Sequence, residues 1–158
     1  AWGASLVVLS VALHERLRGT TSALARVATA FGLIWALLVI ASGMIYNVGL
    51  ETVVALAATS VEQAIPVWLA VETVFNGLGG GVEVVGGIWV VLLSVAGMRD
   101  GLLPRPFSLF GFVVGAAGLL SVIPSLSEIT GSIFGLTQIV WFVGLGILLL
   151  RSSRREAV

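Results

Sequence analysis

Apolar residues run through this chain in long blocks, and charge interrupts them at only a few places. Uncharged runs of membrane-crossing length are Val27–Leu50, Pro106–Ser127 and Ile129–Leu150. Val84–Met98 is a fourth once it is extended backward through the glycines that precede Glu83. A helix needs about 20 predominantly apolar residues to cross ~30 Å of hydrocarbon. The pattern therefore predicts spans at about 27–48, 79–98, 107–123 and 133–150. Ala1–Leu13 is also apolar, but at 1.5 Å per residue it would rise only ~20 Å. It has no initiator Met and no charged leading segment, so it reads as part of a span that begins upstream, not as a signal peptide. The expected fold is one all-α integral membrane domain over residues 1–158, a bundle of about five transmembrane helices, or six if the N-terminus is truncated.

Residues 51–78 form the one long excursion between spans, and the pattern there changes. Ser60-Val61-Glu62-Gln63 has the form of a capping box, with serine at the N-cap and Gln63 three residues on. Pro66 would then sit inside the new helix, where it removes a hydrogen bond, so the helix either kinks at Ile65–Pro66 or starts there. Ala64, Val67, Trp68, Val71, Val74 and Phe75 recur at helical spacing, with Glu62, Thr73 and Asn76 on the other face. This predicts an outer amphipathic helix, lying in the interface with Trp68 as anchor or covering the bundle.

Composition and charge sharpen this. Apolar residues make up 58% and charged residues 10%, against about 25% charged in soluble domains. With no Cys there is no disulfide framework, no thiolate metal site and no thiol catalysis. Zero net charge argues against a nucleic-acid partner. All eight basic residues are arginines. With five spans, Arg16, Arg18, Arg26, Arg99, Arg105, Arg151, Arg154 and Arg155 fall on one side, which is cytoplasmic by the positive-inside rule. Glu51, Glu62, Glu72, Glu83 and Glu128 fall on the other. The C-terminus is then cytoplasmic, and the setting is a bacterial plasma membrane. Counting Leu50–Val71 as a further span would bury Glu62, at a cost of ~2.5–3.5 kcal/mol on insertion scales.

Candidate chemistry is sparse. Glu83 follows Gly79-Gly80-Gly81 about one turn inside its span, where backbone N–H groups and the helix dipole favour a carboxylate. It is either a structural cap or a proton- or cation-binding group at the wall of an outward pocket. Tyr46, Asn47, Ser121 and Gln138 lie at the same membrane level, and if they converge with Glu83 they form an outward-open polar cavity. Trp35, Trp89 and Trp141 fall at mid-span, not in interfacial belts, and are expected to fill the core, each indole N–H needing a partner. His14 reads as an interfacial histidine, because one His without Cys builds no haem or zinc site. Gly77 to Gly81 fits neither phosphate-binding glycine pattern, so no nucleotide is expected, and no metal or cofactor either. Gly111, Gly115 and Gly118 line one side of a span, at a spacing that lets helices approach closely; the partner is another span, another subunit or a second copy. Gly32–Met44 aligns with Gly86–Met98, six identities in thirteen positions, a match that so narrow an alphabet produces by chance.

Residues 12–18 (ALHERLR), Gly86-Gly87-Ile88-Trp89-Val90-Val91-Leu92-Leu93, Leu103-Pro104 and the run from Ile139 to Arg151 resemble an uncharacterised bacterial membrane family, domain of unknown function 4386. The resemblance implies a six-helix protein and no particular activity. The expectation is a non-enzymatic multi-pass membrane protein, an accessory, packing or scaffold subunit. The alternative is a small transporter or lipophilic-ligand-binding protein with its pocket around Glu83. A polar cavity reaching Glu83 and Gln138 would favour the alternative, and a glycine-faced groove holding another polypeptide would favour the first. An intramembrane enzyme would need paired carboxylates at one depth, and the sequence shows none.

Overall fold

The computed structural model describes residues 2–17, 22–81 and 83–156. Arg18 lies outside the described residues, as do the side chains of Arg154 and Arg155. Six helices follow in order: α1 (Trp2–Arg16), α2 (Ser22–Ala57), α3 (Val61–Phe75), α4 (Val84–Arg99), α5 (Arg105–Leu120) and α6 (Ser127–Glu156). A single π-helical turn, Asn76–Gly80, separates α3 from α4. Among the described residues there is no strand. Ala23–Ala57, Val61–Arg99 and Ser127–Ser152 are each long and apolar enough to cross a membrane, and Arg105–Leu120 is a shorter apolar helix.

Helix ends differ from the expected spans because helicity does not require unbroken apolarity. At 36 residues α2 is about 54 Å long, running past Tyr46, Asn47 and Glu51. It exceeds a crossing by roughly 20 Å. The chain then turns at Ala58–Ser60, and α3 packs back along the outer third of α2. Ser60 caps α3: its hydroxyl accepts the Gln63 N–H at 3.4 Å and donates to Glu62 Oε2 at 3.0 Å. α3 begins at Val61 and continues through Pro66, so the proline is not its start. The expected interfacial anchor also has a different role. Trp68 packs edge-on against Tyr46 at 5.8 Å, and Val71 fills the space over Gly49. The inner face of α3 covers α2, not the lipid boundary.

The core is built from small residues opposite large aromatic ones. Trp35, Trp89, Phe134 and Trp141 are all at most 2% exposed. Their rings touch in series: Trp35 to Trp89 at 5.6 Å, Trp89 to Trp141 at 5.8 Å, and Phe142 stacks between them. The similarity between 32–44 and 86–98, expected to be accidental, has a structural counterpart. A Cβ on Gly32 would lie 2.4 Å from Trp89 Nε1, and one on Gly86 would lie 2.6 Å from Trp35 Cε2. The antiparallel helices α2 and α4 thus exchange tryptophans over each other's glycines. Trp141 repeats the arrangement over Gly111 of α5.

Gly111, Gly115 and Gly118, the expected face for other subunits or a homo-oligomer, are consumed inside this chain. All three are buried. A Cβ on Gly115 would meet Val91 and the Gly87 carbonyl, and one on Gly118 would meet Phe134 and the Glu83 carbonyl. In lipid, helix association depends on packing, so the closest backbone approach is made where neither helix carries a side chain. What remains outside is apolar: Leu37, Met44 and Val48 on α2, and Leu136, Val140 and Leu150 on α6, are all exposed, consistent with contact to a lipid bilayer.

The two polar ends are unlike. Arg16 at the end of α1 bonds Ser152 of α6 at 2.7 Å. The α4–α5 turn, between Arg99 and Arg105, shares a cavity with Leu148 and Arg151. One end therefore gathers arginines. The Thr29 hydroxyl donates to the Ala25 carbonyl, so His14, 3.1 Å from Thr29 Oγ1, donates to it from Nδ1. The acids Glu83 and Glu128 meet at the opposite end.

Candidate functional site

The α3–α4 break creates the site. At Gly79 the chain takes φ +110°, a conformation open to glycine at little steric cost, and α4 does not resume until Val84. Glu83 is its N-cap residue, yet its side chain makes no capping bond to the helix. The carboxylate turns instead toward α2, where Trp35 donates its indole N–H to Oε2 at 3.2 Å. The Glu83 backbone N–H donates to Ser121 Oγ at 2.8 Å, and the Ser121 hydroxyl donates to the Gly118 carbonyl at 2.7 Å. Ser121 thus ties the start of α4 to the end of α5, which holds Glu83 in place from two sides.

Beside this carboxylate lies a cavity of about 520 Å³. The broken segment supplies Asn76, Gly80, Gly81 and Glu83 to its wall; α6 supplies Ser127, Glu128, Gly131, Ser132 and Gly135. The α6 residues recur at three- and four-residue intervals, one face of the helix. Two acidic residues, Glu83 and Glu128, are among its lining residues, and no arginine is. Among the described residues no group of three His, Asp or Glu could hold a metal ion.

The five residues expected to converge do so only in part. Glu83 and Ser121 are in direct contact. Tyr46 packs between Trp68 and Phe75 in the α2–α3 hairpin, and Asn47 is exposed on α2; neither lines the cavity. Gln138 lies further along α6, outside the cavity wall, with its Oε1 buried and lacking a hydrogen-bond partner. The cavity thus reaches Glu83 without reaching Gln138. Asn76, Glu128 and Ser132 were missed as site residues, as was Trp35 as the partner of the carboxylate. The carboxylate pair that the sequence did not show comes from two separate segments. The i, i+3, i+4, i+7 pattern of Glu128, Gly131, Ser132 and Gly135 carried a local signal, but nothing in it named Glu83 as the opposite wall.

Glu83→Gln keeps an acceptor oxygen for the Trp35 N–H, and its melting in mild detergent is expected to stay within a few degrees of the parent. Ser121→Ala leaves the Glu83 N–H without its partner and should cost about 1–3 kcal/mol, a clear drop in the same measurement. A collapse of the first variant, or no change in the second, would contradict this geometry.

A family model described as domain of unknown function (DUF4386) matches residues 1–153. No curated protein and no solved structure matches the chain.

Proposed function

The chain belongs to the DUF4386 family, and we propose that this member is a multi-pass protein of a bacterial plasma membrane that receives a small ligand in a cavity open to the outer side. The observation that carries the reading is the cavity of about 520 Å³ at the α3–α4 break, with Glu83 held at its wall by Trp35 and Ser121. That volume lies within the ~300–1,000 Å³ of small-molecule sites. Interrupted helices, with their freed backbone groups, are a recurring way to build ligand sites in membrane proteins. The accessory-subunit reading drew on the absence of a catalytic constellation together with glycine-lined packing faces. Of these two supports, the faces of Gly111, Gly115 and Gly118 are filled by α4 and α6 of the same chain.

The two unlike ends support a sidedness for this reading. The arginine end, with the C-terminus, is cytoplasmic, and the cavity faces the medium. Since the chain has no Cys, single thiols test this directly. In intact cells, Ser132→Cys is expected to react with a membrane-impermeant thiol reagent, whereas Ser152→Cys reacts only after permeabilisation. Protection of Ser132→Cys in intact cells, with labelling of Ser152→Cys, would reverse the threading. Failure of Ser132→Cys to react even in detergent would remove the open cavity.

A further inference from the structure

We propose that the cavity selects a small organic cation, an ammonium compound of about the size of choline, seated between Glu83 and Glu128. The inference rests on the cavity reading above and names the ligand class for that site.

Charge comes first. Glu83 projects from the start of α4 and Glu128 from the first turn of α6, so two acids from different helices line one space. Among the described residues, the side-chain donor to the Glu83 carboxylate is the Trp35 indole N–H, a neutral group. A partly buried carboxylate held only by a neutral donor is compensated by a proton or by a cation, and the adjoining space gives a cation access to it. The described arginines that could oppose it, Arg16, Arg26, Arg99, Arg105 and Arg151, belong to the other end of the bundle. An anion entering here would meet two acidic residues and no arginine, with only the N-terminal ends of α4 and α6 in its favour.

Size and lining then separate an organic cation from a bare ion. The space is far larger than one metal ion, and the described residues hold no three-acid or His-containing cluster for a metal. Glycines line it from both segments, Gly80 and Gly81 from the break and Gly131 and Gly135 from α6. A Cβ on Gly135 would meet nothing within 4 Å. A space with an acidic residue on each of its two segments and glycines between suits a compact alkyl body carrying one positive charge, while Asn76 and Ser132 offer polar contacts for a second group.

The test uses full-length Ser132→Cys in mild detergent. Its labelling rates are measured with a cationic (trimethylammonium-ethyl) and an anionic (sulfonato-ethyl) methanethiosulfonate and referred to Thr59→Cys at the exposed hairpin tip. Clefts of one sign raise counter-ion encounter by about 10-fold or more, so the cation-to-anion ratio at position 132 should exceed that at 59 by roughly tenfold. Adding Glu83→Gln or Glu128→Gln should bring the ratio back toward the reference, whereas Glu51→Gln, on the α2 segment outside the cavity, should not. Choline should slow labelling at 132, and its neutral isostere 3,3-dimethylbutan-1-ol should not. Equal ratios at the two positions, no protection by choline, or equal protection by the alcohol would overturn the cation assignment and leave the cavity standing. If neither reagent reaches position 132, the cavity reading fails, and this inference with it.

Discussion

Valine in place of Gly87 is expected to leave no monodisperse folded protein. A Cβ at this position would lie 2.7 Å from the Gly115 carbonyl oxygen, 2.9 Å from the Leu119 nitrogen and 3.0 Å from the Gly118 carbonyl carbon. All three neighbours are backbone, so no rotamer change can make room and α4 must separate from α5. Overpacking a core normally costs about 1–3 kcal/mol, but that range assumes side chains that can yield. Here the displacement propagates, because the Gly118 region also positions Ser121 and, through it, the start of α4. Size-exclusion profiles in mild detergent, read beside Gly43→Val, provide the check. A Cβ at Gly43 meets nothing within 4 Å, and that variant should behave as the parent does. If the two valines behave alike, the close α4–α5 approach is wrong.

Trp89→Ala should produce the second large effect, a loss of about 3–5 kcal/mol, as expected for a fully buried aromatic. The side chain is 0% exposed and touches Trp35, Trp141 and Phe142 at centroid distances of 5.6, 5.8 and 5.8 Å. Within a membrane the loss is chiefly of dispersion contacts, since lipid replaces water as the competing environment. Trp68→Ala is the matched comparison: the same deletion at a half-buried position in the outer hairpin. Thermal melting should fall substantially further for Trp89→Ala. Equal shifts would show that the central aromatic series does not hold the bundle together.

Much of the fold was readable from residue order alone, and the misreadings share a cause. The long apolar runs located α2, α4, α5 and α6, and Ser60 marked the start of α3. The second span was placed at about 27–48 within the uncharged run Val27–Leu50, and that bound concerns the membrane crossing, not the helix end. A helix carries polar residues freely once it leaves hydrocarbon, and α2 continues to Ala57. Trp68 looked like an interfacial anchor because an amphipathic pattern records that one face is covered, not by what. The glycines of α5 carried the same ambiguity, since a close-packing motif is silent about whose helix fills it.

At the candidate site, Glu83 stood out as a carboxylate beside three glycines, and Ser121 stood at the right membrane level. Ser121 holds the Glu83 backbone without lining the cavity. Tyr46, Asn47 and Gln138 shared that level without reaching either, because depth along the bundle is set by position in each run whereas convergence is set by helix rotation. Asn76, Glu128 and Ser132 reach the cavity through rotations that no single segment encodes. Trp35 is the clearest case. Its place at mid-span pointed to the core, but its N–H meets a carboxylate 48 residues later in the chain, across two helices.

Residue order by itself pointed to an apolar all-helical protein, to where most of its helices run, and to arginines gathered toward one end with five of the eight acids assigned to the other. These are local properties: transfer energy and capping act within a segment. The tertiary structure alone decided that α3 lies against α2, that the glycine faces close on this chain's own helices, and that Glu83 and Glu128 look into one space. Each of these depends on how far a helix is turned about its axis and on which neighbour it meets. Packing between helices sets those quantities, and it sums contributions from residues far apart in sequence.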